Sequence, residues 1–172
     1  MKRIKLWLAG GMAALAVTIT GCSVIPGMGG NETGESHLGD TVSTLWFDYV
    51  VNSADPMDTY EGYTAAEGNK LVVVDLTMKN TFDESVPMFD TDFQLYWGDY
   101  NDDEWALPLE VYCDAQLPAE YYLSIDETRE GVLVYEVPTD VRDFTFAFLE
   151  VKDNGTEEGE EGDLYLTYFT AA

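Results

Sequence analysis

Basic residues are scarce in this 172-residue chain: eight Lys and Arg stand against 33 Asp and Glu, for a net charge of −25. Lys2, Arg3 and Lys5 all fall within residues 1–21, which hold no acid, so the remainder carries 5 basic against 33 acidic residues, or −28. A surface of that sign repels nucleic acid and anionic lipid headgroups and attracts cations and basic partners. Cysteine is scarce too. Two residues, Cys22 and Cys113, cannot build a disulfide framework, so the core must hold the fold. The one histidine, His37, precedes every strand-like segment, which leaves Ser-His-Asp and Cys-His catalysis without a base inside the fold. No segment past residue 21 keeps a 3.6-residue apolar period, so helices are not expected.

The N-terminus is the most specific part of the chain. Ile19-Thr20-Gly21-Cys22 resembles a lipobox: a branched apolar residue, two small residues and a cysteine. Lys2, Arg3 and Lys5 form a positive n-region, and an uncharged h-region runs from Leu6 to about Thr20. The run is short and Gly/Ala-rich for a transmembrane span, which needs about 20 apolar residues. The resemblance implies that Cys22 is acylated and residues 1–21 are removed. A lipid anchor would then hold the protein at the extracytoplasmic face of a bacterial membrane. Cys113 would have no intramolecular partner; it follows the alternating run Glu110-Val111-Tyr112, which suits a buried structural thiol.

Residues 22–38 read as the lipidated cysteine and a Gly-rich linker, with Gly27, Gly29, Gly30 and Gly34 opposing a helix. As a flexible coil it would span roughly 20–25 Å. Residues 39–172 read as one domain of period-two segments. Leu45, Phe47, Tyr49 and Val51 alternate, then Val72, Val74, Leu76 and Met78, then Phe93, Leu95 and Trp97. A short strand near Ala106–Cys113 is interrupted by Pro108. Gly131, Leu133, Tyr135 and Val137 form another, which Pro138 stops; Phe144, Phe146 and Phe148, and finally Leu164, Leu166 and Tyr168, complete the set. The expectation is an all-β, antiparallel β-sandwich of about seven to nine strands.

Two stretches carry a family resemblance. Leu71–Asn80 is an apolar strand ending in Lys79-Asn80; Leu123–Pro138 runs through a polar turn to Gly131, an apolar strand with Tyr135 and a terminal proline. Both, with Leu38-Gly39-Asp40-Thr41 as the lead-in, resemble the telokin-like, immunoglobulin-fold domain of unknown function found in bacterial surface lipoproteins. Where that family usually has Pro-Gly in the turn, this chain has Ile125-Asp126. The resemblance implies an extracellular immunoglobulin-like sandwich, without an assigned activity.

Chemistry-bearing residues are few. Asp99, Asn101 and Asp103 have the spacing of a calcium loop, with Glu110 at loop position twelve. Glu104 replaces the turn glycine of such loops, and the competing reading is a solvated hairpin tip. Tyr100 and Trp105, flanked by acids, are candidate ligand-binding aromatics. The tract Asp153–Asp163 reads as a long acidic hairpin loop. The leading expectation is a non-enzymatic interaction module that binds a protein or envelope partner, a basic one included. A cation-dependent glycan- or wall-binding module is the alternative, and an enzyme acting on envelope material ranks third.

Overall fold

The computed structural model describes residues 36–98, 104–111, 113–152 and 160–171. Among them lie thirteen strands and one 3-10 turn. In chain order the strands are β1 (Ser36–His37), β2 (Thr41–Ser43), β3 (Phe47–Met57), β4 (Thr59–Tyr60), β5 (Tyr63–Thr64), β6 (Asn69–Asn80) and β7 (Val86–Phe89). They continue with β8 (Phe93–Tyr96), β9 (Trp105–Ala106), β10 (Glu120–Leu123), β11 (Thr128–Pro138), β12 (Asp143–Lys152) and β13 (Glu160–Thr170). Two sheets form a β-sandwich. One has the order β1-β13-β12-β8-β9, the other β11-β6-β3-β2. All strand pairs are antiparallel except β1 with β13. Four strands are two residues long, and the other nine match the expected number.

The period-two alternation packs the sandwich as the sequence predicts. Phe47, Tyr49 and Val51 of β3, the four residues from Val72 to Met78 on β6, and Leu133, Tyr135 and Val137 of β11 meet the inward Phe93, Leu95, Phe144, Phe146 and Phe148. Each fully buried side chain of this size contributes about 1.5–3 kcal/mol. The aromatic rings add edge and stacking contacts: Phe93 stacks on Phe146 at 5.4 Å, and Phe47 meets Phe148 edge-on at 5.0 Å. The Tyr135 hydroxyl donates to the Phe93 carbonyl at 3.1 Å and so ties one sheet to the other. The Tyr49 hydroxyl lies near Thr167 without a hydrogen-bond partner among the described residues. Burial pushes its pKa up to about 12.

The sheet containing β6 is apolar on both sides. Leu71, Val73, Val132 and Val134 form a second cluster with Val111, which is why Leu71–Val74 reads as an unbroken apolar run. Tyr60 and Tyr63, from the β4–β5 hairpin, cover it. That hairpin turns through Glu61 (φ 48) and Gly62 (φ 85), both in the left-handed region, as a tight two-residue turn requires.

Several expectations need correction. The expected linker is too long: Ser36 and His37 already pair with Thr167 and Tyr168. Leu45 is 52% exposed rather than core; it sits in a loop whose N–H donates to the buried Glu150 at 2.6 Å. The β3 strand passes a bulge at Val51/Ser53 and runs on to Met57, beyond Val51 where the expected alternation ends. On β13 the inward residues are Tyr165, Thr167 and Phe169, while Leu164, Leu166 and Tyr168 face outward. The pairing decides this, because Tyr165 and Phe169 stand opposite the inward Phe148 and Phe144. Of the described residues in the expected Ala106–Cys113 segment, Ala106 alone lies in a strand, β9, which begins at Trp105. Pro108 has no N–H for a ladder, and the chain there crosses to the other sheet, where Leu109 N–H donates to Val134 at 2.7 Å.

Two residues explain the turns that the resemblance singled out. Asn80 is fully buried, and its amide donates to the Glu84 and Leu123 carbonyls, each at 2.9 Å, while accepting Phe82 N–H at 2.8 Å. It pins the end of β6 to the end of β10. The Ser124–Glu127 turn is closed by Glu127 N–H to Ser124 carbonyl at 3.0 Å, with Asp126 at φ 59. Asp is one of the few non-glycine residues that tolerate this region, so Ile125-Asp126 makes the turn without Pro-Gly.

Candidate functional site

Most of the residues expected to form sites lie outside the described residues: Cys22, Asp99, Tyr100, Asn101 and Asp103. Their flanks are placed. Trp97 N–H donates to the Glu104 carbonyl at 3.0 Å, and Tyr96 pairs with Trp105, so β8 and β9 form a hairpin around residues 98–104. Glu110 is exposed and lies within electrostatic reach of Asp90, before the start of β8, whereas the Asp99–Asp103 run follows the end of β8. Among the described residues no three His, Cys, Asp or Glu side chains are grouped to hold a metal ion. Trp105 is 37% exposed and stacks on Tyr96 at 6.4 Å. Cys113 is half-buried rather than buried and sits beside the Tyr60 phenol.

Register places an aromatic row across the outer face of the five-stranded sheet. Trp105 is opposite Tyr96, Tyr96 opposite Thr145, Thr145 opposite Tyr168, and Tyr168 opposite His37. His37 and Tyr168 are in ring contact at 6.5 Å. The row ends at an open groove of about 930 Å³. Three elements wall it: the β8–β9 hairpin at Glu104, the β11–β12 turn at Asp140, Arg142 and Asp143, and the β1/β13 edge at His37 and Tyr168. Thus loops from separate parts of the chain converge on one end of the sandwich, where binding loops sit on rigid sheets.

Local chemistry sets each wall. Gly98 takes φ 64, and the Glu104 carboxylate lies where a β-carbon at Gly98 would be, within 2.4–2.8 Å of it. Asp143 accepts the Thr170 hydroxyl at 2.7 Å. The β11–β12 turn is held by Lys70, whose Nζ donates to the Val141 carbonyl at 2.5 Å while lying over the Phe144 ring. His37 N–H donates to Asp40 at 2.9 Å, beside Gly39 at φ 85. The histidine therefore belongs to the folded domain, although the sequence places it in the linker. No serine or cysteine is among the described groove-lining residues. The groove has no signature in the sequence because its walls come from three distant segments with no shared motif.

A second acidic site lies at the other end of β8. Asp90 and Asp92 form the 3-10 turn, and Asp92 accepts Phe89 N–H at 3.2 Å. Burial raises the Asp92 pKa from 3.8 to about 7, against the Phe89 bond and with help from Asp90. Asp90 is raised mainly by burial, with Glu110 adding to it.

Among the described residues no helix is long and apolar enough to cross a membrane. A comparison with curated proteins finds no match. Two solved structures from Bacillus subtilis share the fold. The putative lipoprotein ycdA is 14% identical with a TM-score of 0.59, over 80% of this chain and 39% of its own. The yjhA protein is 17% identical with a TM-score of 0.55, over 80% of this chain and 99% of its own. This chain thus spans about two fifths of ycdA and nearly all of yjhA. A family model described as a domain of unknown function, DUF4352, matches residues 36–158, and the chain belongs to that family.

Proposed function

We propose that the protein is a bacterial surface lipoprotein, tethered through Cys22, whose telokin-like immunoglobulin sandwich is a non-enzymatic binding module. The observation that carries this reading is the groove at one end of the sandwich, where His37, Glu104, Asp140, Arg142, Asp143 and Tyr168 converge. Its lining mixes charged side chains with apolar ones such as Val141 and Phe169 on a rigid frame, which suits recognition of a partner. The lipobox-like run and the fold shared with a putative lipoprotein support the location.

Site-specific photo-crosslinkers test the reading in intact cells. Probes at Asp140 and Arg142 should yield a discrete adduct that a probe at Glu84 does not. Glu84 lies beyond the opposite end of the β6–β11 pair, since Asn80 follows Lys79 opposite Thr128 while Asn69 meets Pro138 at the groove end. Equal adducts from all positions, or none from the groove, would overturn it.

A further inference from the structure

Resting on that reading, we infer that the groove accepts a cationic side chain from an extended basic segment of a partner protein. The lining sets three carboxylates, Glu104, Asp140 and Asp143, against one guanidinium, Arg142. The chain around it carries −25. Carboxylates bind Arg and Lys through charge-assisted hydrogen bonds, and the face of an aromatic ring attracts the same cations. Tyr168 supplies that ring; it is partly exposed and contacts His37 at 6.5 Å.

Other occupants fit less well. The remaining aromatics of the groove are buried: Trp97 is 9% exposed, Phe144 3% and Phe169 7%. Tyr96 and Trp105 of the adjoining row stack on each other at 6.4 Å and lie outside the groove lining, so within the groove one tyrosine and one histidine remain, fewer than the successive stacking faces of a sugar platform. A second copy of this chain would bring the same negative charge to an already negative surface, and an anionic ligand would meet the same repulsion.

Arg142 gives the inference its sharpest consequence. It is exposed, and it is the one like-charged side chain a basic segment would meet on the described groove walls. Removing its charge should tighten binding, an effect that loss of structure cannot imitate.

The test uses the mature lipidated protein in detergent micelles and four probes: decapeptides alternating Lys-Gly, Arg-Gly or Glu-Gly, and a neutral N-acetylglucosamine oligosaccharide. Binding is read by calorimetric titration. The basic peptides should bind and the acidic one should not. Affinity should fall severalfold as salt rises from about 50 to 300 mM, over which charges are progressively screened. Arg142→Gln should tighten binding at least threefold. The triple variant Glu104→Gln/Asp140→Asn/Asp143→Asn should weaken it at least tenfold. A control triple, Asp83→Asn/Glu84→Gln/Asp126→Asn, changes net charge equally at the opposite end and should stay within twofold. Equal losses from both triples would show attraction by the overall field alone and overturn the inference. So would weaker or unchanged binding in Arg142→Gln. Oligosaccharide binding that Tyr168→Ala abolishes, with no peptide binding, would also overturn it while leaving the groove as the binding surface. Failure of every probe together with absent groove crosslinks in cells would remove both readings.

Discussion

Protonation of Asp92 should make a distinct contribution to how stability depends on pH. Its carboxyl sits in the Asp90–Asp92 turn, half-buried, accepting Phe89 N–H at 3.2 Å, with a pKa raised from 3.8 to about 7. A carboxyl raised in this way is more basic in the folded chain than in the unfolded one. Its contribution to stability is fully present below about pH 4 and is lost as pH rises through 7. The full shift corresponds to at most about 4 kcal/mol, at about 1.4 kcal/mol per pKa unit. Solvent reaches part of the group, which lowers the expected effect to about 1–3 kcal/mol. For a domain of this size each kcal/mol moves Tm by roughly 3–6 °C. Asp92→Asn keeps the shape and an acceptor for Phe89 N–H but cannot ionise. Thermal unfolding of both proteins should be followed by circular dichroism every half unit from pH 4 to 9 at constant ionic strength. The variant should be the more stable above pH 7, and the difference should shrink to nothing near pH 4. Repulsion among the other carboxylates acts on both proteins and cancels. Parallel curves, or a wild type that is the more stable at pH 8, would refute the assignment.

Asn80→Ala should cost about 2–4 kcal/mol in urea unfolding, because it strands Phe82 N–H and the Glu84 and Leu123 carbonyls at a buried turn. A loss below 0.5 kcal/mol would mean that water replaces the amide. Gly131→Ala should cost about 1–3 kcal/mol, since its β-carbon would lie 2.7 Å from Leu117 Cδ2 and 3.0 Å from the Ala115 carbonyl oxygen; an unchanged unfolding midpoint would show that the 115–117 segment yields freely. Cys22→Ala should leave the membrane fraction or persist as precursor, and the wild-type N-terminus should carry at least two acyl chains by mass spectrometry, since one chain binds only marginally. Membrane retention with an unmodified Cys22 would end the lipoprotein reading.

The strands with one apolar parity were legible in the sequence, and those with two were not. On β12 the phenylalanines at 144, 146 and 148 alternate with Thr145 and Ala147, so the inward face is unambiguous. On β13, Leu-Tyr-Leu-Thr-Tyr-Phe is apolar at both parities, and the choice is made by its pairing with β12, which sets Tyr165 and Phe169 opposite the inward Phe148 and Phe144. Six short strands, β1, β2, β4, β5, β7 and β10, have no period in the sequence, and the last two show why. Pro87 sits inside β7, and β10 spans only Glu120–Leu123, so neither shows a period long enough to read. The groove was illegible for a different reason. Its residues are ordinary turn and edge residues, and only the meeting of three distant segments gives them a common purpose.

The few cations explain why the acid excess remains outside the fold. Lys70 is buried and spent on the Val141 carbonyl and the Phe144 ring. Arg129 holds Glu127 at 2.7 Å and lies over the Tyr121 ring at 4.5 Å. Burial on one side and the Arg129 and Ser124 bonds on the other compete at Glu127, and the bonds win, lowering its pKa. Lys79 stands opposite Asp48 across β3 and β6. Each of these three charges is therefore matched to a neighbour within the sheets or their turns. Arg142 differs, because it stands exposed on a groove wall among carboxylates. A field set by so many acids draws basic partners from a distance without choosing among them, since long-range attraction raises encounter rates more than it discriminates. Discrimination has to come from contact, and on the described groove walls the charge that can reject a badly placed cation is that of Arg142. Removing it should therefore raise affinity for Lys-Gly and Arg-Gly peptides alike and narrow any difference between them.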